Sequence, residues 1–158
     1  AAKLSELDST VSRANSTAVI VPNFSIGSML ATRFAAEAAK HFSTIEIVEA
    51  HHAHKVDSPS GTAIRTAELI AAARGELPLV TGVGQTARGE IVASIPIHSL
   101  RLSGVSAKQE VILGGDSEVL TIAHEVSSVV SYSAGILAAI RFAANNKGLF
   151  VGLDAVVQ

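Results

Sequence analysis

Three strand-like runs separated by short turn signals occupy residues 91 to 126, and they constrain the fold more than any other feature. The runs are Ile91 to Leu102, Lys108 to Leu113 and Val119 to Val126. Ser103-Gly104-Val105-Ser106 lies between the first two, and Gly114-Gly115-Asp116 lies between the last two. Both connections are typical of β-hairpins. The sequence therefore predicts an antiparallel meander of three strands.

The rest of the chain shows mainly helical spacing of apolar residues, interrupted by two short buried strands. The predicted elements are, in chain order, a helix ending near Asn15, a strand Ala18 to Val21, a helix capped by Ser25 and reaching His41 or Phe42, a strand Thr44 to Ala50, a helix opened by Ser60 and ended by Gly75, a helix through Ile136 and Phe142, and a strand-like tail Leu149 to Leu153.

Helices early in the chain and a hairpin-linked sheet late in it favour an α/β (α+β) fold, with an open mixed, largely antiparallel β-sheet and helices packed on one face. The other face of such a sheet must also be covered. Alternate strand residues that could form this second face are apolar, which favours burial against a second subunit, with a partner domain as the competing explanation. These residues are Ile95, Ile97, Val111, Leu113, Leu120 and Ile122.

Composition narrows the class of protein. With 158 residues and 48% hydrophobic content, residues 1–158 are expected to form a single domain. The 12 Lys and Arg against 14 Asp and Glu give no excess positive charge for nucleic acid or an anionic membrane. The absence of cysteine excludes disulfides and thiolate chemistry and suits the cytoplasm. The chain opens directly in helical patterning and its one methionine is Met29, which fits either a removed initiator Met or an excised or proteolysed domain of a longer protein.

A dense group of basic side chains precedes the predicted third helix. His51, His52, His54 and Lys55 fall within five residues, and Ser60-Gly61-Thr62 follows at the helix start. Imidazoles and an ammonium so close together suit an anion, a proton in transfer or a metal. The first N–H groups of a helix are unpaired within it and favour negative charge. The segment therefore indicates a pocket for a carboxylate or a phosphate.

Three other readings of this segment are weaker. Zinc held by His52 and His54, with Asp57 nearby, lacks an H-E-x-x-H or cysteine spacing, so no metal is predicted. A phosphate loop would need the order G-x-x-x-x-G-K-[ST], but Lys55 precedes Gly61. A Ser60 nucleophile would need a G-x-S-x-G turn, so Ser60 is better interpreted as a helix cap.

Two stretches resemble one enzyme family. The run from Glu49 to Ala63, EAHHAHKVDSPSGTA, is similar to the signature E-x-H-H-x-x-K-x-D-x-P-S-G-T-A of dihydrodipicolinate reductases, and all ten defined positions match. Val21-Pro22-Asn23-Phe24-Ser25-Ile26-Gly27 is similar to the segment that follows the dinucleotide domain in this family. The resemblance continues through Arg101-Leu102-Ser103-Gly104 and the helix of Gly135, and so covers nearly the whole chain.

The resemblance implies an oxidoreductase of lysine and diaminopimelate biosynthesis, in which NADH or NADPH reduces the dehydrated form of 4-hydroxy-tetrahydrodipicolinate. It implies that His51 is the acid or base near the reacting ring and that Lys55 is the proton donor. It also implies a homotetramer formed through the sheet. The remaining implied site residues are His52, Gly61 and Thr62 for the cyclic dicarboxylate and Val21, Pro22, Asn23 and Phe24 for the nicotinamide side.

The chain departs from the family in one respect. No strand, G-x-G-x-x-G/A turn and helix precede Val21, and Gly82-Val83-Gly84 lies in a predicted surface loop. The dinucleotide-binding domain is therefore expected to be absent, and the chain alone is expected to turn over little substrate. A non-catalytic oligomerisation module and a His-based metal-binding protein are the alternatives.

Charged residues outside the signature are weaker candidates. Arg101, Lys108 and His98 are expected on the meander in solvated or subunit-facing positions. Glu49, Asp57 and Glu110 could orient a histidine or the lysine, and Asp57 is the most plausible of the three because it lies beside them.

Overall fold

The computed structural model describes residues 2–76 and 85–157, so the predicted turn at Gly82-Val83-Gly84 lies outside the described residues. The helices are α1 (Ala2–Arg13), α2 (Ile26–Ala38), α3 (Gly61–Arg74) and α4 (Ser133–Asn145), and the strands are β1 (Thr17–Ile20), β2 (Thr44–His51), β3 (Glu90–Val92), β4 (Ile95–Arg101), β5 (Ala107–Gly115), β6 (Glu118–Val126) and β7 (Gly148–Val151).

The chain divides into two compact units. The first comprises the residues up to Met29 together with those from Val129 onward, and the second comprises Leu30–Ser128. The expectation that residues 1–158 form one domain stays a prediction.

The second unit is built on a five-stranded sheet in the order β3-β4-β2-β5-β6. β2 pairs with β4 in parallel, and the other neighbours are antiparallel. Side chains from β2, β4 and β5 pack against α3 and the end of α2, so the helices cover one face, which we call the helix face. The predicted open mixed sheet with helices on one face is thereby confirmed.

The predicted meander is wrong in its pairing. β4 and β5 follow each other in sequence but do not pair, because β2 lies between them. β2 suits a central position since Ile45 and Ile47 are buried on one side and Ala50 on the other. A turn signal such as Ser103-Gly104 reports a change of chain direction, not the identity of the neighbouring strand.

The first predicted strand of the meander is also wrong, since Ile91 to Leu102 is divided into β3 and β4. Ala93 and Ser94 form the connection with φ values of 49° and 68°. Two-residue hairpin turns of this kind normally use Asn or Gly, which tolerate positive φ. Because neither residue type occurs here, the sequence carried no signal for the turn.

The alternate residues assigned to a subunit-facing surface lie mostly on the helix face instead. Ile95, Ile97, Val111 and Leu113 are all buried in the core beneath α2 and α3. Alternation along a strand defines two faces but does not reveal which one the helices cover. The opposite face, which we call the open face, mixes apolar residues with charged groups such as the Lys108–Glu110 ion pair.

Helix α3 forms because its sequence is rich in Ala, Leu and other good helix formers. Its buried residues recur at helical spacing through Ala63, Ala67 and Ile70. It ends as predicted at Gly75, which has a φ of 57° and donates its N–H to the carbonyl of Ala71.

The first unit contains a two-stranded parallel sheet of β1 and β7, in register from Thr17↔Gly148 to Ile20↔Val151. Both strands contact helices of the same unit, α4 for β1 and α1 for β7. Phe142 and Phe150 pack edge to face with ring centroids 4.8 Å apart. Across the part of the chain that the structure describes, every helix is too short or too polar to cross a membrane.

Candidate active site

The loop between β2 and α3 contains the basic signature residues. β2 ends at His51, and α3 begins at Gly61. Ser60 caps the helix as predicted, because its Oγ accepts a hydrogen bond from the N–H of Ala63 at 3.2 Å. Gly61 and Thr62 occupy the first two helical positions, where a backbone N–H has no acceptor within the helix.

A buried carboxylate lies beneath this loop. Glu49 has no solvent exposure and lies on the helix face. Arg101 donates to it through both terminal nitrogens, Nη1 to Oε2 and Nη2 to Oε1, each at 3.0 Å. The N–H of Ser60 donates to Oε1 at 3.2 Å, and Nδ1 of His51 lies 2.6 Å from Oε2. We call these four residues the Glu49 cluster.

The Glu49 cluster stabilises an ionised carboxylate. Burial raises the pKa of Glu49, but the hydrogen bonds from Arg101, Ser99 and His51 outweigh it, and the pKa lies below its ordinary value. A buried charge is tolerated only where it is paired and hydrogen-bonded, as it is here. The cluster therefore provides a fixed negative charge behind His51.

Lys55 and Asp57 form the second ion pair of the loop. Nζ of Lys55 lies 2.7 Å from Oδ1 of Asp57, and the Lys55 side chain is 20% exposed. The hydrogen bond from Lys55 lowers the pKa of Asp57. Arg101 also donates to the backbone carbonyl of Asp57 at 2.7 Å, so the guanidinium links the loop to the end of β4.

The other predicted residues of this loop differ in exposure. His52 and His54 are exposed, and the carbonyl of His52 accepts the N–H of Lys55 at 3.1 Å in a tight turn. Thr62 is half-buried, and its carbonyl accepts a hydrogen bond from the hydroxyl of Thr66. Within residues 2–76 and 85–157, no three His, Asp or Glu side chains are grouped so that they could hold a metal ion.

Sequence reasoning missed the role of Arg101 and ranked Glu49 below Asp57 among the acidic residues that could orient a histidine, although Glu49 is the one that contacts His51. Arg101 was expected in a solvated or subunit-facing position, but its side chain is only 20% exposed and is bound to Glu49. The expectation was wrong because the two residues are far apart in sequence and meet only through the parallel pairing of β2 and β4. A signal was present, since a Glu inside an apolar strand requires a buried partner. Asp57 contacts Lys55, as predicted.

The Val21–Phe24 segment belongs to the first unit and connects β1 to α2. Oδ1 of Asn23 accepts the N–H of Ser25 at 2.9 Å, and its Nδ2 donates to Oγ of Ser28 at 3.3 Å. Ser25 caps α2 as predicted, with its Oγ accepting the N–H of Ser28. A Cβ at Gly135 would lie 2.0 Å from the carbonyl oxygen of Phe24, so α4 fits closely against the segment.

Comparison with known proteins places this geometry in a family. The protein-family model that describes the C-terminal part of dihydrodipicolinate reductase matches residues 27–157 of this chain. A curated 4-hydroxy-tetrahydrodipicolinate reductase of Clavibacter sepedonicus is 56% identical over 142 residues, which are 89% of this chain and 51% of the relative. One from Streptomyces griseus is 45% identical over 159 residues, covering 96% of this chain and 64% of the relative.

A solved structure gives the same result at the level of the fold. Dihydrodipicolinate reductase from Paenisporosarcina sp. TG-14, described as dipicolinate-bound, aligns with a TM-score of 0.84 and 34% identity, over 98% of this chain and 60% of that one. The chain thus spans between about half and two thirds of the length of these relatives. The resemblance inferred from the signature is confirmed, and the chain belongs to the dihydrodipicolinate reductase family, of which it represents the C-terminal part.

Proposed function

We propose that this chain is the substrate-binding part of an NAD(P)H-dependent 4-hydroxy-tetrahydrodipicolinate reductase and that it binds the cyclic dicarboxylate at the β2–α3 loop. The observation that carries the proposal is the grouping of a carboxylate-backed imidazole, an ammonium and a helix start along one short segment. The names of the curated relatives and the dipicolinate-bound neighbour support the same substrate class.

The start of α3 suits one carboxylate of the substrate. Its helix dipole and the N–H groups of Gly61 and Thr62 favour an anion. A Cβ at Gly61 would meet no atom within 4 Å, so the space over this residue is open. We therefore assign Gly61 and Thr62 to carboxylate binding.

Lys55 and His51 are assigned to proton transfer. Asp57 holds the Lys55 ammonium in this structure, and an arriving substrate anion competes for the same group. Lys55 then has a proton to donate to the ring as the imine-like carbon is reduced. His51, fixed by Glu49, acts as the acid or base near the ring, and the exposed His52 contacts substrate.

The residues Val21, Pro22, Asn23 and Phe24 are assigned to the nicotinamide side. This segment lies outside regular secondary structure, so its backbone groups can serve a ligand. The Asn23 side chain is engaged at the start of α2, which makes the backbone the better contact. When NADH or NADPH is bound, it supplies the hydride.

We also assign self-association to the open face of the sheet, as a homotetramer. Leu100 and Val119 lie on this face and are 44% and 69% exposed. Exposed apolar side chains beside paired charges are typical of surfaces that contact a second subunit. Analytical ultracentrifugation of the chain and of Val119→Glu tests this, with dissociation expected in the variant.

Thermal stabilisation by pyridine-2,6-dicarboxylate tests the proposed substrate class. At a ligand concentration of about 100 times Kd, binding stabilises the folded state by about 2.7 kcal/mol. We expect Lys55→Ala to lose most of this stabilisation because it removes the ammonium that faces the anion. Lys40→Ala is the matched control, since Lys40 forms a similar 2.6 Å pair with Glu37 outside the loop.

Two results would contradict the proposal. One is the absence of any ligand effect on the unsubstituted chain while tetramers persist, which would favour a non-catalytic oligomerisation module. The other is equal stabilisation of Lys55→Ala and Lys40→Ala, which would place the ligand away from the loop.

A further inference from the structure

We infer that Glu49 is a positioning residue that acts through His51. Its carboxylate accepts a hydrogen bond from the protonated Nδ1 of the imidazole, which leaves Nε2 as the nitrogen available to the ligand. The inference rests on the proposed function in so far as the ligand is the cyclic dicarboxylate. From the sequence, Glu49 was only one of three acidic residues that could orient a histidine or the lysine, and Arg101 was expected in a solvated or subunit-facing position.

The donors around the Glu49 carboxylate favour an acceptor that carries no proton, and they lower its pKa. The guanidinium of Arg101 and the N–H of Ser60 can only donate, and between them they engage both oxygens. An ionised carboxylate can only accept. The 2.6 Å contact between Oε2 and Nδ1 therefore requires the proton to be on the imidazole nitrogen.

The strand geometry explains why Glu49 reaches His51. The two residues are two positions apart on β2, so their side chains lie on the same face of the sheet. Arg101 lies directly opposite His51 on the parallel neighbour β4. Arg101 thus binds the Glu49 carboxylate from the side of β4. Oε2 of Glu49 also faces Nδ1 of the His51 imidazole.

A histidine whose one nitrogen is bound by a buried carboxylate has a fixed tautomer and ring orientation. Glu49 is also bound to the N–H of Ser60, immediately before the two helix positions assigned to the substrate carboxylate. One buried charge therefore positions the imidazole and the helix start relative to each other. Arg101 supports the charge of Glu49 but does not contact the imidazole in any hydrogen bond found among the described residues.

Long-range ¹H–¹⁵N spectra of the histidine rings test this inference. They are recorded at about pH 8.5, above the ordinary imidazole pKa, with the His51 signals assigned by their loss in His51→Gln. We expect Nδ1 of His51 to carry a proton in the unsubstituted chain. Glu49→Gln should shift the neutral ring toward the Nε2–H form, because the Gln amide can donate to Nδ1. It should also weaken pyridine-2,6-dicarboxylate binding about tenfold.

Arg101→Lys is the matched control. It perturbs the same buried cluster but leaves the Glu49 carboxylate, so Nδ1 of His51 should stay protonated. A purely structural role of Glu49 would instead make the two variants alike in their ring spectra. If Glu49→Gln fails to fold, the spectra of the unsubstituted chain and of Arg101→Lys decide. A protonated Nδ1 of His51 in both supports the inference, and an unprotonated Nδ1 in either overturns it.

The remaining outcomes separate this inference from the proposed function. A bare Nδ1 in the unsubstituted chain overturns the role of Glu49 even if the dicarboxylate binds. An unchanged tautomer or an unchanged Kd in a folded Glu49→Gln variant overturns it as well. If the expected tautomers are found but the unsubstituted chain binds no dicarboxylate, the proposed function fails while the positioning of His51 by Glu49 is supported.

Discussion

The two compact units of this chain are stabilised in different ways. The second unit has a five-stranded sheet with a continuous core of buried residues and a hydrogen-bonded buried charge beside it. The first unit has one pair of parallel strands, and the residues of β1 are all half-buried. Parallel strands are normally buried on both faces, and a pair of strands depends for its stability on the helices packed against it, here α4 for β1 and α1 for β7. We therefore expect the second unit, which contains the β2–α3 loop, to be the more stable of the two.

The largest effect is expected from Arg101→Ala in the second unit. It leaves Glu49 buried without its main partner, so the free energy of unfolding should fall by about 3–5 kcal/mol. Denaturant unfolding monitored by circular dichroism measures this. Arg65→Ala is the control, since Arg65 is 66% exposed and pairs with Glu68 at 3.7 Å, a contact worth at most about 1 kcal/mol. Equal losses of unfolding free energy in Arg101→Ala and Arg65→Ala would contradict the claim that the paired buried charge stabilises the second unit.

A smaller effect is expected from Gly135→Ala in the first unit. The new Cβ would lie 2.0 Å from the carbonyl oxygen of Phe24, and overpacking of this kind costs about 1–3 kcal/mol. Amide hydrogen exchange should accelerate in β1 and β7 while β2 and β5 keep their protection. Gly104→Ala is a matched control, because a Cβ there meets no atom within 4 Å, although its φ of 85° adds some strain. Equal acceleration in both units would show that they unfold together.

The smallest of these effects is the acid dependence of the second unit. Because the pKa of Glu49 is lower in the folded chain, its contribution is fully present above the unfolded value of about 4.3 and is lost as the pH falls through the lower folded value. Burial of Glu49 opposes the effect of its donors, so the slope is modest. Unfolding free energies measured from about pH 6 down to 3 should fall less steeply in Glu49→Gln. Equal slopes would contradict the assignment of an ionised Glu49.

The same contrast explains what the sequence could predict. Helix α3 was predictable because its cap Ser60, its apolar spacing and its terminator Gly75 are all local signals. The overall mixed sheet was predictable from the distribution of helical and strand patterns. The insertion of β2 between β4 and β5 was not, because strand pairing depends on contacts between distant segments.

The candidate site was predictable to a similar extent. The basic residues and the helix start lie next to each other in sequence, so their grouping was visible without a structure. Glu49 was one of three acidic candidates for orienting a histidine, but its pairing with Arg101 was not predictable, because the two residues are 52 positions apart and meet only across the parallel strands.

A titration of the ¹⁵N-labelled chain with pyridine-2,6-dicarboxylate tests the central claim most directly. We predict saturable shifts of the backbone amides of Gly61 and Thr62 and of the His51 ring, and their loss in Lys55→Ala. Shifts that leave Gly61 and Thr62 unmoved, or that persist in full in Lys55→Ala, would contradict the assignment of the β2–α3 loop as the dicarboxylate site.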